Sequence, residues 1–393
     1  MKAIAEKFAA LGDDVTVYST RVSRNEFFYK PEPDNRIPYS ERINGVGVRR
    51  FDVNVGQYRL IYKQINSLPG GCRLGKWIMK DAYRLGECGP LCPQMPGAII
   101  DFKPQLILAV NSANLHTYYA YQAKQKTGCS LVVMPCMHEQ EDWAEIPLIY
   151  DILKSADLVI ALTDDERRFL AGKGVEERKI LTGGIGIDVR PAAEAAGEGF
   201  RRKYGIGGAP VVTFIGRIVE GKGAVTLIRA MRQVWEKFPQ ARLVLAGART
   251  KYAAGIEAEI SGYGAEAEKI LFIENFNDDE KMAILKASDV FAMPSTVDSF
   301  GIVYLEAWSQ ARPVVACRNT PQQTIIEDGV DGLLVDPESP EELARAILRA
   351  FSDKEFAATL GRNGLEKVKS RYSWDIVIPQ LRAKFQNLTE AGA

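Results

Sequence analysis

From residue 210 onward, short apolar runs alternate with longer amphipathic stretches, and this alternation restricts the fold more than any other feature of the chain. Pro210–Ile215, Arg242–Gly247, Ile270–Ile273, Asp289–Met293, Pro313–Ala316 and Gly332–Val335 read as buried strands. Helices are predicted over 252–264, 278–287, 302–311 and 340–352. Another follows Gly223, with Val225, Ile228, Met231 and Trp235 on one side. Apolar strands separated by helices are covered on both faces, which predicts an α/β fold with a parallel sheet wound on both sides. Right-handed crossovers place every strand's C-terminal end on one rim, where such sheets bind ligands.

The first half repeats the pattern less cleanly. Asp14–Tyr18, Gln105–Ala109, Ser130–Met134 and Asp157–Ala161 read as strands, and 21–102 reads as a long irregular region. An amphipathic helix opens the chain, with Ile4, Phe8 and Leu11 on one face and Gly12 as its stop. At 393 residues there is length for two domains. Their boundary is expected at Thr182–Asp188, before the polar, Ala- and Gly-rich run 191–199. Fifty basic residues balance fifty acidic ones, so nothing in the charge points to a nucleic-acid partner. No apolar segment approaches the ~18 residues that cross a bilayer. Six cysteines in so long a chain do not make a disulfide scaffold. A cytoplasmic enzyme is the expectation.

Chemistry concentrates in Pro294–Glu306. Asp298 and Glu306 stand on either side of a strand-to-helix turn at Phe300-Gly301. A helix start offers unpaired N–H groups and a positive dipole end to a phosphate. Acids flanking it can bind sugar hydroxyls, which suits a nucleotide-sugar. A single acid in such a place is more often a turn residue or a solvated helix position. Arg217 and Lys222 lie in the loop after strand 210–215, where fixed cations can stabilise a departing diphosphate. Gly221 and Gly223 let that backbone come close. The plain alternative is a solvated basic loop. His138, just past the end of strand 130–134, can donate to a hydroxyl or to developing charge; a hydrogen-bonded rim histidine is an equal reading, and the favoured one for His116.

Taken together, these pieces resemble the family-4 glycosyltransferases, retaining enzymes of the GT-B fold, over nearly the whole chain. Asp298–Glu306 looks like the family's paired-acid motif, and Phe214–Gly223 like its arginine–lysine diphosphate loop. Ala156–Thr163 with Asp165–Arg167, Gly186–Asp188 and Ser373-Trp374 match further landmarks in order. The resemblance implies two Rossmann-like domains facing a cleft. An N-terminal acceptor-side domain would cover 1–185 and a donor-binding domain 186–373, with the last helix, 374–390, returning to the first. It implies that Gly216, Arg217 and Lys222 hold the diphosphate, with the backbone of Phe300, Gly301 and Ile302 at the distal phosphate. Glu306 would hold the ribose, Asp298 the transferred sugar, and His138 would sit near the reacting carbon. No residue stands out as a nucleophile, so attack assisted by the leaving phosphate, without an obligatory metal or other cofactor, is implied.

The chain departs from the pattern in two places. The family usually has glutamate where Asp298 stands, one methylene longer. Its first strand and Gly-rich loop have no counterpart before the opening helix, so the natural protein is expected to begin about 15–25 residues upstream. Such a gap leaves two neighbouring strands unpaired.

Residues 58–84 interleave aromatic and basic side chains, with Lys76, Lys80 and Arg84 on one helical face. An ordinary solvated helix is favoured there over peripheral contact with the inner membrane face. Cys72, Cys88, Cys92 and Cys136 lack the paired spacing of a metal site. The expected activity is transfer from a nucleotide-diphosphate-sugar donor to a hydroxyl acceptor such as a sugar, glycolipid or small molecule, with acceptor contacts from 21–102. An epimerase of the same architecture and a donor-binding protein without turnover are the competing readings.

Overall fold

The computed structural model describes residues 2–33, 35–56, 89–137, 146–190, 192–250 and 252–391. They divide into two units, one formed by Met1–Gly184 with Ile378–Ala393 and the other by Ile185–Val377.

In the first unit, α1 (Lys2–Ala10) buries Ile4 and Ala5, and the Phe8 ring lies 5.4 Å from that of Phe385. Leu11, expected on the same face, lies beyond the helix and is exposed, because the chain turns away through Gly12 at φ 91°. Strands β1 (Thr16–Thr20), β2 (Ser40–Ile43) and β3 (Val46–Phe51) form a sheet in the order β1-β3-β2. The β2–β3 hairpin falls inside the region read as irregular. Its loop is Asn44-Gly45, both residues at positive φ, as a two-residue hairpin turn requires.

After α2 (Met95–Phe102), strands β4 (Leu106–Val110), β5 (Ser130–Met134), β6 (Leu158–Ala161) and β7 (Ile180–Thr182) form a second, parallel sheet. The helices α3 (Leu115–Thr127), α4 (Pro147–Ser155) and α5 (Asp164–Gly172) connect them. Leu131, Val133, Ile149, Ile152, Leu153 and Val159 fill the core between. Among the described residues β1 pairs only with β3, and β4 only with β5. Leu106, Ile107, Leu108 and Val110 are accordingly only half-buried, whereas all of β6 is buried.

The second unit opens with α6 (Glu194–Lys203), which overlaps the polar, Ala- and Gly-rich run 191–199. Phe200 anchors it, and Gly197 lets its backbone rest on Lys286. The six apolar runs become β8 (Val211–Ile215), β9 (Arg242–Ala246), β10 (Ile270–Ile273), β11 (Val290–Ala292), β12 (Val314–Cys317) and β13 (Gly332–Val335). All pair in parallel, in the order β10-β9-β8-β11-β12-β13. The covering helices are α7 (Ala224–Lys237), α8 (Ala253–Ser261), α9 (Asp278–Ala287), α10 (Ile302–Ser309), α11 (Pro340–Ser352) and α12 (Lys354–Lys367). The last helix, α13 (Trp374–Ala391), starts in the second unit and runs into the first from Ile378.

Helix α10 is wedged by α12, and glycine makes the fit possible. A Cβ at Gly364 would stand 2.0 Å from Cδ1 of Trp308, and one at Gly361 would stand 2.1 Å from the Ala311 carbonyl oxygen. Gly361→Ala therefore sets two effects against each other. Helix propensity favours alanine by about 1 kcal/mol. The methyl, however, meets a carbonyl fixed by the left-handed turn at Ala311, and such overpacking costs about 1–3 kcal/mol. The clash is expected to win, with Gly361→Ala lowering the urea midpoint at an unchanged slope.

Candidate functional site

Strands β8 and β11 are neighbours, with Val212 opposite Val290, so the loops that follow them start side by side. Gly216 donates its N–H to Ala246 at 2.9 Å, which ties the first loop to the end of β9. Gly221 and Gly223 then take φ of 79° and 80°. The second of these is the tighter position, since a Cβ on residue 223 would lie 2.2 Å from the Pro294 carbonyl oxygen. Thr296 N–H donates to the Gly221 carbonyl at 2.8 Å, so the two loops are joined backbone to backbone. Lys222 is thereby carried to Asp298 and forms an ion pair with its Oδ1. Arg217 is exposed, and its guanidinium takes no partner among the described residues.

Gly301 precedes α10 at φ 87°, where a Cβ would strike the Tyr304 ring at 2.6 Å. Tyr304, wholly buried, donates its hydroxyl to the Met293 carbonyl and locks the turn to the end of β11. The Phe300 side chain is an anchor, buried edge-on to Tyr372, so only its backbone is available to a ligand. The N–H groups of Phe300 and Gly301 donate to no protein group among the described residues. Ile302 begins the helix exposed. One turn later Glu306 pairs with Lys281 of α9 at 2.6 Å. Burial pushes the Glu306 carboxyl above its ordinary value, and the Lys281 ammonium pulls it partly back.

Two partners of this site escaped sequence reasoning. Gln322, fully buried after β12, donates its side-chain N–H to the Asp298 carbonyl oxygen at 3.2 Å. Its Oε1 and the Oδ2 of Asp298 are both buried without a hydrogen-bond partner among the described residues. Nothing in the spacing around Gln322 signals this. Lys281 is the other, and there the signal was partial. Asn277 and Glu280 form a capping box that starts α9, and they mark the helix start but not the reach of the side chain behind it.

His138 lies outside the described residues, as do Cys72, Cys88 and 58–84. The chain leading to His138 is held by Glu166, which accepts from the Met137 and Leu162 N–H groups at 2.6 Å each. His116 Nε2 stands 2.5 Å from the Val110 carbonyl, which requires the Nε2–H tautomer, and burial lowers its pKa. Cys92 and Cys136 are free thiols. Among the described residues no group of three His, Cys, Asp or Glu side chains is placed to hold a metal. No helix there is long and apolar enough to cross a membrane.

Residues 198–367, which contain every element of this rim, match the family of glycosyl transferases group 1. That stretch is therefore similar to a group 1 glycosyl transferase domain. Over 250 residues the chain is 31% identical to a D-inositol 3-phosphate glycosyltransferase of Corynebacterium urealyticum, a match covering 60% of the chain and 58% of that relative. Over 313 residues it is 26% identical to a GDP-mannose-dependent alpha-(1-6)-phosphatidylinositol monomannoside mannosyltransferase of Mycobacterium tuberculosis, covering 74% of the chain and 80% of the relative. The chain thus spans less than two thirds of the first of these. Among solved structures it resembles Anabaena HepE in complex with UDP and glucose, with a TM-score of 0.72 at 19% identity, over 95% of this chain and 100% of that one. Sucrose-phosphate synthase of Thermosynechococcus elongatus gives 0.76 at 21% identity, over 99% of this chain and 92% of that one. At these identities the likeness carries the fold, which is GT-B.

Outside the matched stretch, Glu166 makes stability depend on pH. Burial raises its pKa to about 7, against the pull of its two N–H donors. The folded chain therefore takes up a proton between pH values of about 4.5 and about 7, and stability falls as pH rises through that window. Between pH 5 and 8 the wild type is expected to lose about 1–3 kcal/mol more than Glu166→Gln, measured as the difference in urea unfolding free energies.

Proposed function

We propose that this chain is a retaining glycosyltransferase that moves a sugar from a nucleoside-diphosphate-sugar to a hydroxyl acceptor. The observation that carries this reading is the meeting of Lys222 and Asp298 at the sheet rim, beside an unpartnered Arg217 and the start of α10. The named relatives support it, being glycosyltransferases themselves. A donor diphosphate arriving at Arg217 and the α10 amides is a stronger partner for Lys222 than one carboxylate is. Asp298 is then released to accept from hydroxyls of the transferred sugar. Glu306 accepts from the ribose diol.

As the bond from the anomeric carbon to the diphosphate oxygen breaks, negative charge grows on that oxygen. Arg217, Lys222 and the N–H groups of Phe300, Gly301 and Ile302 stabilise it, while Gly216, whose N–H is held by Ala246, only carries Arg217 to the rim. The acceptor hydroxyl attacks on the same face and passes its proton to the departing phosphate oxygen, so configuration is kept without an enzyme nucleophile. His138 is assigned to the reacting centre on the acceptor side. Fixed cations take the part a divalent ion plays in other phosphate chemistry, so no metal is required. The two relatives named for inositol phosphate and phosphatidylinositol mannoside make a cyclitol phosphate, free or lipid-linked, the first acceptor to try.

A panel of UDP- and GDP-sugars with such acceptors tests this, with product detected by mass spectrometry and its anomeric coupling read by proton NMR. Transfer with retention, undiminished by excess EDTA, is expected. Arg217→Ala should lower kcat/KM by about 10²–10³. His138→Ala should lower kcat while donor affinity holds. A chain that binds no nucleoside diphosphate, or an Arg217→Ala variant as active as wild type, would sink the reading.

A further inference from the structure

Lys281 is not among the residues that bind phosphate or sugar in the reading above, yet it is bonded to the acid that receives the ribose. Its ammonium lies 2.6 Å from Oε1 of Glu306, and both side chains are nearly enclosed, at 19% and 18% exposure. A second acid, Asp278, lies 3.1 Å away but is 96% exposed, so water screens that contact. The pair is therefore Lys281 with Glu306. Lys281 sits at the end of the capped first turn of α9, where Lys281 N–H donates to the Asn277 carbonyl at 2.9 Å, so its backbone is fixed.

A buried ion pair needs a reason. Taking two charges out of water offsets most of what their attraction returns, and an apolar contact would join α9 to α10 as well. The position of Glu306 supplies the reason. It lies one turn beyond Ile302, which is exposed, while Tyr304, Leu305, Ala307 and Trp308 are all buried, so Glu306 follows the open face of α10. A ribose diol offers two O–H donors, and only an ionised carboxylate can accept from both; a neutral acid turns one oxygen into a donor. Burial alone pushes Glu306 toward that neutral form, and Lys281 opposes it. The ammonium also occupies one lone-pair direction of Oε1 and leaves Oε2 with no protein partner among the described residues.

We propose that Lys281 is a positioning residue that holds Glu306 ionised and turned so that it discriminates a ribose diol from a sugar lacking it. This rests on the reading of Glu306 as the ribose acceptor. A Lys281 that served only to clip two helices together would affect all nucleotides alike.

The test measures the affinities of UDP, GDP and their 2′,3′-dideoxy counterparts by calorimetry, for wild type, Glu306→Ala, Lys281→Met and Lys281→Arg. Wild type should prefer the ribonucleotides, and Glu306→Ala should abolish the preference. Lys281→Met should weaken the better-bound ribonucleotide about tenfold while dideoxynucleotide affinity stays within about twofold. Lys281→Arg, which keeps a cation within reach of Oε1, should retain the preference. Equal loss for both nucleotide types, or a Lys281→Met variant that discriminates as wild type does, overturns the inference and leaves the proposed function standing. An Arg variant as indifferent to ribose as the Met variant overturns it too. Wild type without any ribose preference overturns the reading of Glu306, and this inference with it.

Discussion

Two loops leave neighbouring parallel strands and touch backbone to backbone at Gly223 and Pro294, with no room for a side chain between them. Every other relation in the site depends on that contact. Sheet pairing brings the ends of β8 and β11 together, but pairing alone would leave their loops free to diverge. The left-handed turn at Gly223 directs one loop into the other, and the bond from Thr296 to Gly221 fixes their register. Only then do Lys222 and Asp298, 76 residues apart in sequence, become partners. The start of α10 is held from below by Tyr304 and Gln322, so the amide groups at the turn sit on a buried, hydrogen-bonded base.

The second unit was legible because its local and global signals agree. A strand that must be apolar on both faces announces itself as a run, and a helix with one wet face announces itself by period. The site acids and the basic loop were readable for the same reason, being tied to strand ends and glycines. The first unit was harder where the signals are short. Asn44-Gly45 marks the β2–β3 hairpin plainly, but it is buried in a stretch whose Pro, Gly and Tyr content suggested no order. Leu11 had the right spacing for α1 and the wrong position, because the helix ends before it. Lys281 and Gln322 belong to a different class of difficulty. Each reaches the site from an element distant in sequence, and nothing in its own neighbourhood records where the side chain ends.

Polar burial around the site follows a consistent pattern. Lys222 with Asp298 and Lys281 with Glu306 form enclosed pairs, while Asp298 Oδ2 and Gln322 Oε1 are buried acceptors without donors among the described residues. Unsatisfied acceptors cost about 1–3 kcal/mol each, and a fold tolerates them most easily where a guest brings O–H groups to them. A sugar is such a guest, rich in donors and small enough for a closed rim.

The pairing of Lys222 with Asp298 has a consequence for which anions the rim accepts. In the empty protein the carboxylate acts as a placeholder, an internal competitor at very high effective concentration. A single phosphate or sulfate that evicts it exchanges one ion pair for another and gains little. In the proposed function a diphosphate spans further, to Arg217, which no acid neutralises among the described residues, and to the amides before α10. On the proposed function, the loop works as a threshold rather than as a simple attractor: a lone phosphate or sulfate falls below it, and a ligand with two linked phosphates clears it.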